Sequence, residues 1–151
     1  MKAKILLPII AVFIILVMGG YFLTHPSYEI SLRAKYHYEM GEYKEAYSLA
    51  KEAFSIDTYN RMASTIMTQS QTSLKYVSYI EMGKKYIQEV DKIAQNDTIT
   101  DAQKAKIKLI CEIMKSAYIK LAPSVVTDQK LVQESAKYYT QFEKLYEKVN
   151  R

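Results

Sequence analysis

Tyr38–Asn60 reads Y-E-M-G-E-Y-K-E-A-Y-S-L-A-K-E-A-F-S-I-D-T-Y-N. Gly41 interrupts the stretch near its start, and an amphipathic pattern resumes at once. Ala46, Ala50 and Ala53 follow one another at intervals of four and three, which puts them on one stripe of a helix. Small side chains on a stripe let a second helix come close, while Tyr43, Tyr47, Leu49, Phe54 and Ile56 supply bulk beside it. The spacing predicts a helix, a tight turn at Gly41, and a second helix packed back on the first.

Gly41-Glu42-Tyr43 at the turn, Ala46 and Ala53 in the following helix, and Ile56-Asp57 at its end resemble the tetratricopeptide repeat. Thr58 stands where a Pro commonly ends that repeat, and it can cap the next helix instead. Upstream, the first helix runs from about Ser27 with Ala34 at its small-residue position. Ile30 replaces the family's aromatic there, and Arg33 replaces its Leu. One repeat spans about 34 residues, and about three usually stack to close a core. One such step from Gly41 meets Lys75, and from Ala46 it meets Ile80, so residues 27–60 hold the recognisable copy. The resemblance implies a stacked hairpin packed through Ala34, Gly41, Tyr43, Ala46, Ala50 and Ala53. It also implies an adaptor that binds a protein or peptide with the first helix. Tyr28, Ser31, Lys35 and Tyr38 then form the expected partner surface.

In front of the hairpin, Ile5–Leu23 is an uncharged run, I-L-L-P-I-I-A-V-F-I-I-L-V-M-G-G-Y-F-L. As a helix it is about 28 Å long, close to the thickness of a bilayer's hydrocarbon core. Lys2 and Lys4 precede it, and the first acidic residue is Glu29. The positive-inside rule therefore predicts a single-pass signal-anchor across the lipid bilayer, with residues 1–4 cytoplasmic and residues 24–151 extracytoplasmic. In a bacterium that side is periplasmic or the cell surface. Tyr21 and Phe22 suit the far interface, and Pro8 falls in the first turn, where its missing N–H costs little. A cleaved signal peptide is the competing reading; Gly20 suits a cleavage site, but Met18 two positions earlier is bulky.

Residues 24–151 are enough for one compact domain. They carry 19 of the 21 Lys+Arg and all 16 Asp+Glu, a formal charge of +3. So mild an excess, spread along helices, predicts no nucleic-acid partner. Cys111 is the only cysteine, which excludes an intrachain disulfide. It lies on an apolar stripe with Ile107, Ile110, Met114, Ala117, Tyr118 and Leu121, the pattern of a core residue.

The remaining sequence is helical in pattern. Thr58 or Asn60 can start a helix expected over about 59–95, with a bend or break near Gln69–Ser73 and Gly83 allowing a close approach or a second bend. Asn96-Asp97 turns the chain. Thr100 and Gln103 form a capping box for a helix to about Leu121. Thr127 is expected to cap the last helix, and Ser124–Thr127 is too short to count as a strand. The fold class is all-α, with about five helices beyond the anchor: the hairpin at 27–60 and additional packing helices over 61–151.

No motif specifies a reaction. His25 and His37 have no metal-ligand spacing, and no phosphate loop, nucleophile elbow or metalloprotease helix is present. The expectation is a non-enzyme without catalytic residues, metal, cofactor or small-molecule substrate. The alternative to an adaptor is a structural single-pass subunit of a larger membrane or envelope assembly.

Overall fold

The computed structural model describes residues 3–96, 98–123 and 127–150, apart from the side chains of 3–7 and 22–24. Among the described residues there are six helices and no strands, so the fold is all-α. The helices are α1 (Ala3–Thr24), α2 (Pro26–Glu39), α3 (Tyr43–Ile56), α4 (Arg61–Ala94), α5 (Asp101–Ile119) and α6 (Gln129–Val149). Two compact units divide the chain, Met1–Gln71 and Thr72–Arg151. Helix α4 contributes to both. Of the bend or break expected near Gln69–Ser73, the break is absent: the helix is continuous over its 34 residues.

Helix α1 exposes every described side chain from Pro8 to Tyr21, including Phe13, Ile15 and Leu16. Among the described residues no single helix is long and apolar enough to cross a membrane. The side chains of Lys4, Ile5–Leu7, Phe22 and Leu23, which belong to the expected anchor and its flanks, lie outside the described residues, as does Lys2.

In the first unit, α2 opens with Pro26 at its first position, where no intrahelical N–H bond is lost. It closes in a Schellman arrangement. Gly41 takes φ +79°, its N–H reaches the Tyr38 carbonyl at 3.0 Å, and the Glu42 N–H reaches the His37 carbonyl at 2.9 Å. The side chains of His37 and Glu42 also bond across the turn. The chain then reverses into α3. Ala34, Ala46, Ala50 and Ala53 are fully buried, and Tyr43 nearly so. Ala34, Ala46 and Ala50 pack with Leu49 and Ile66. Ile56, expected among the bulky packing residues, is exposed instead, because it ends α3 beyond the contact.

Asn60, not Thr58, caps α4. Its Oδ1 accepts from the Ala63 N–H at 3.1 Å, and its Nδ2 donates to Ser27 Oγ and Ser31 Oγ, both at 2.8 Å. Ser27 Oγ donates in turn to the Ala53 carbonyl at 2.9 Å, and Ser31 Oγ to the Ser27 carbonyl at 2.8 Å. Asn60, Ser27 and Ser31 are all buried, so this network ties α2, α3 and the start of α4 together inside the unit. Thr58 lies in the preceding turn, where the Asp57 carboxylate accepts from the Tyr59 N–H at 2.9 Å.

The second unit has larger core side chains: Tyr79, Val90, Ile93, Ile107, Ile110, Cys111, Met114 and Phe142. Thr100 and Gln103 form the expected capping box of α5. Asp128 caps α6 by accepting from the Lys130 N–H at 2.9 Å, and Thr127 beside it is buried. The other residues of the expected short stretch, 124–126, and Asp97 of the expected turn lie outside the described residues. Gly83 lets the Tyr138 ring lie directly on α4: a Cβ there would stand 2.8 Å from Tyr138 Cδ1 and 2.9 Å from its Cγ. This is a close approach with no break in the helix.

Candidate partner-binding groove

The first unit has an open groove of about 380 Å³ between the C-terminal half of α2 and the start of α4. Lys35, Tyr38 and Glu39 form the α2 wall. On α4 the wall is Arg61, Thr65 and Gln69 at intervals of four, with Met62 and Ile66 one position on. Residues four apart share a helix face, so α4 turns one polar row and one apolar row into the same groove. Ile66 is buried at its floor, and Thr65 and Arg61 are exposed at its rim.

The charges on the rim are not equivalent. Lys35 Nζ lies 3.7 Å from Glu39 Oε1, an exposed pair one helical turn apart. Such a pair contributes little to stability and stays available to a ligand. Tyr38 is half-buried and meets Tyr43 edge-on, with ring centroids 5.4 Å apart. That contact fixes the Tyr38 ring, leaving a rigid aromatic edge in the groove.

The four residues expected on one partner surface are separated. Lys35 and Tyr38 both open into the groove. Tyr28 lines a different hollow of about 300 Å³ with His25, Pro26, Ser27, Ile56 and Asp57. Ser31 is fully buried, held by Asn60 and the Ser27 carbonyl, and is unavailable to a partner. The tetratricopeptide resemblance implied all four on one surface, but Ser31 is turned inward to Asn60 and the Ser27 carbonyl.

Glu39, Arg61, Met62, Thr65, Ile66 and Gln69 also line the groove and were not among the expected surface residues. The four-residue spacing of Arg61, Thr65 and Gln69 was visible in the sequence; that this row faces α2 was not. Among the described residues, no three His, Cys, Asp or Glu side chains come together as a metal site. Cys111 is fully buried in the second unit, and burial pushes its thiol up to about 11. A thiol so disposed is a poor nucleophile at neutral pH. No family model, curated protein or solved structure matches this chain.

Proposed function

We propose that this chain is a membrane-tethered helical adaptor, anchored by the apolar run at Ile5–Leu23, that holds a protein or peptide partner outside the cytoplasm. The observation that carries the binding half is the α2–α4 groove, into which Lys35 and Tyr38 open together with an apolar floor of Met62 and Ile66. Its mix of apolar floor, rigid aromatic edge and charged rim suits an amphipathic segment laid along a helix pair. The tetratricopeptide-like hairpin at 27–60 supports the same reading, since that family binds partners through its first helices. Support for the tether comes from the uncharged run after Lys2 and Lys4, and from the exposed apolar side chains of α1 between Pro8 and Tyr21, which water would disfavour.

The test places a photo-crosslinker at Gln69 in cells and compares the parent chain with Thr65→Trp, which fills the groove from its exposed rim. The expected result is one specific crosslinked partner that Thr65→Trp removes. An identical partner set in both chains overturns the groove. Protease treatment of intact and permeabilised cells tests the tether in parallel: digestion only after permeabilisation with cytoplasmic release would refute the proposed topology.

The structural-subunit reading draws on a different feature. A Cβ placed at Gly19 would meet no atom of another element within 4 Å, which leaves room for another helix to approach there. Exchanging residues 5–23 for an unrelated transmembrane helix separates the two, because an adaptor keeps its partner after the exchange.

A further inference from the structure

Helix α6 has an exposed face that neither the groove nor the tether uses. Lys130, Lys137, Lys144 and Lys148 recur at intervals of seven, seven and four, which places them within about 40° of arc over about 27 Å. All four are exposed, and among the described residues no ion pair involves them. Gln133, Thr140 and Gln141 lie between them, exposed and uncharged. The acidic residue nearest the stripe is Glu134, and it already pairs with Lys84 at 3.4 Å. The opposite face of α6, with Phe142, Leu145 and Val149, packs against the unit's own core.

The charge is also unevenly distributed along the chain. Thr72–Arg151 carries 14 Lys+Arg against 10 Asp+Glu, whereas residues 24–71 carry 5 against 6. The excess positive charge of residues 24–151 therefore belongs to the second unit, and α6 arranges four of its lysines in a line.

We propose that this stripe docks on an anionic bilayer surface. Three features select a lipid surface over a defined ligand. The stripe is straight and convex, being one side of a single helix, so it offers no enclosure for a small anion. All its cations are lysine, whose ammonium is a point charge without the planar fork by which Arg recognises individual carboxylates and phosphates. The residues between them are small or medium polar groups with no aromatic or aliphatic anchor, so contact is electrostatic and shallow, without insertion. Each lysine near an anionic leaflet favours adsorption by about fivefold, so four together are worth more than about a hundredfold. The proposal rests on the tether reading only for bringing the stripe close to a bilayer.

The test uses the full chain carrying Gln141→Cys, labelled with an environment-sensitive dye; the buried Cys111 remains unlabelled. The chain is placed in nanodiscs of phosphatidylcholine, with or without phosphatidylglycerol, and quenching by a headgroup-labelled lipid is read. The expected result is quenching in the anionic discs alone, suppressed toward about 1 M salt, where the screening length is about 3 Å. Replacing Lys130, Lys137, Lys144 and Lys148 together by Gln lowers the docked-to-undocked ratio more than about a hundredfold. Replacing them by Arg preserves docking, which separates charge from any loss of folding. Equal quenching in neutral discs, or no change with the Gln variant, overturns the proposal. So does a dye response that appears only when an acidic protein is added, which would make the stripe a protein-binding face. A chain that fails to co-elute with discs refutes the tether instead. Flotation with phosphatidylglycerol vesicles then decides for the stripe, since flotation that ignores the four lysines overturns it.

Discussion

Replacing Asn60 by Ala removes three hydrogen bonds at once from the interior of the first unit. Ser27 and Ser31 keep their own donor bonds to the Ala53 and Ser27 carbonyls, so each loses only a partner to accept from. The Ala63 N–H is stranded, which is the loss of a helix cap and costs about 1 kcal/mol. The two amide-to-hydroxyl bonds add about 1 kcal/mol each, giving about 3 kcal/mol in all. Asn60→Asp is more discriminating. Its Oδ1 still caps α4, but its second oxygen faces two hydroxyl oxygens whose protons are committed elsewhere. They can turn toward it only by abandoning their carbonyls. Burial raises the carboxyl's pKa in the folded chain. A raised folded value means the contribution is intact below the unfolded value near 4 and is lost as pH rises through the folded one. Asn60→Asp is therefore worse at pH 7 than at pH 4, while Asn60→Ala changes little with pH.

Amide hydrogen exchange of α3 in the full chain is the suitable assay, because a chain of two units need not unfold in one step. About 3 kcal/mol corresponds to exchange faster by about a hundredfold. Asn60→Ala within about 0.5 kcal/mol of the parent chain, or Asn60→Asp tolerated equally at both pH values, would show that the network holds nothing together, against the argument made from its bonds.

Gly83→Ala gains about 1 kcal/mol of helix propensity, but it drives a Cβ into Cδ1 and Cγ of Tyr138. Because Cγ is the root of the ring, the clash cannot be relieved at a free end, and overpacking of about 1–3 kcal/mol is expected to win. A denaturant titration should show a net loss that shrinks when Tyr138 is also changed to Leu; a more stable single variant would refute the contact. Gly41→Ala meets nothing within 4 Å, so any loss comes from φ +79° alone. It should cost about 1–2 kcal/mol, and Gly41→Asn less, as read by the same exchange in α2 and α3. Cys111 should resist alkylation at pH 8 in the native chain by just under about a hundredfold relative to a free thiol, from its raised pKa alone. Its own contribution to the second unit's stability is whole below the unfolded pKa near 9 and is lost as pH rises through about 11. Buried Tyr76 and Tyr79, also shifted upward, push in the same direction.

Features set by nearby residues were legible in the sequence. The alanine stripe, the glycine turn and the Thr100–Gln103 capping box each depend on residues within a turn or two of one another. Choices between neighbours of equal local merit were not. Thr58 and Asn60 are both good caps, and Asn60 wins because its amide meets Ser27 and Ser31, some thirty residues earlier. Asp128 displaces Thr127 as the cap of α6, and nothing in the local pattern separates the two. Of the groove's eight lining residues, Lys35 and Tyr38 are the two that the tetratricopeptide resemblance implied, whereas the Arg61–Thr65–Gln69 wall requires knowing which side of α4 faces it.

The two cores differ in how they hold together. Around the groove, Ala34, Ala46, Ala50, Ala53 and Ala63 are buried, and each alanine removes little apolar area from water. Close backbone approach and the Asn60 network must compensate. The second unit buries Phe142, Met114, Ile107, Ile110 and Tyr79, each a larger apolar side chain than alanine. Local opening free energies should follow that difference, so α2 and α3 exchange their amides faster than α5 and the buried side of α6. A partner that binds only the closed groove then stabilises the weaker unit by mass action, by about 2.7 kcal/mol at a hundredfold excess over its Kd. Protection gained in α2, α3 and the first turns of α4, with α5 unchanged, would locate the partner in the groove. Equal protection in both units would place it elsewhere, and faster exchange in α5 than in α3 without any partner would refute the ordering of the cores.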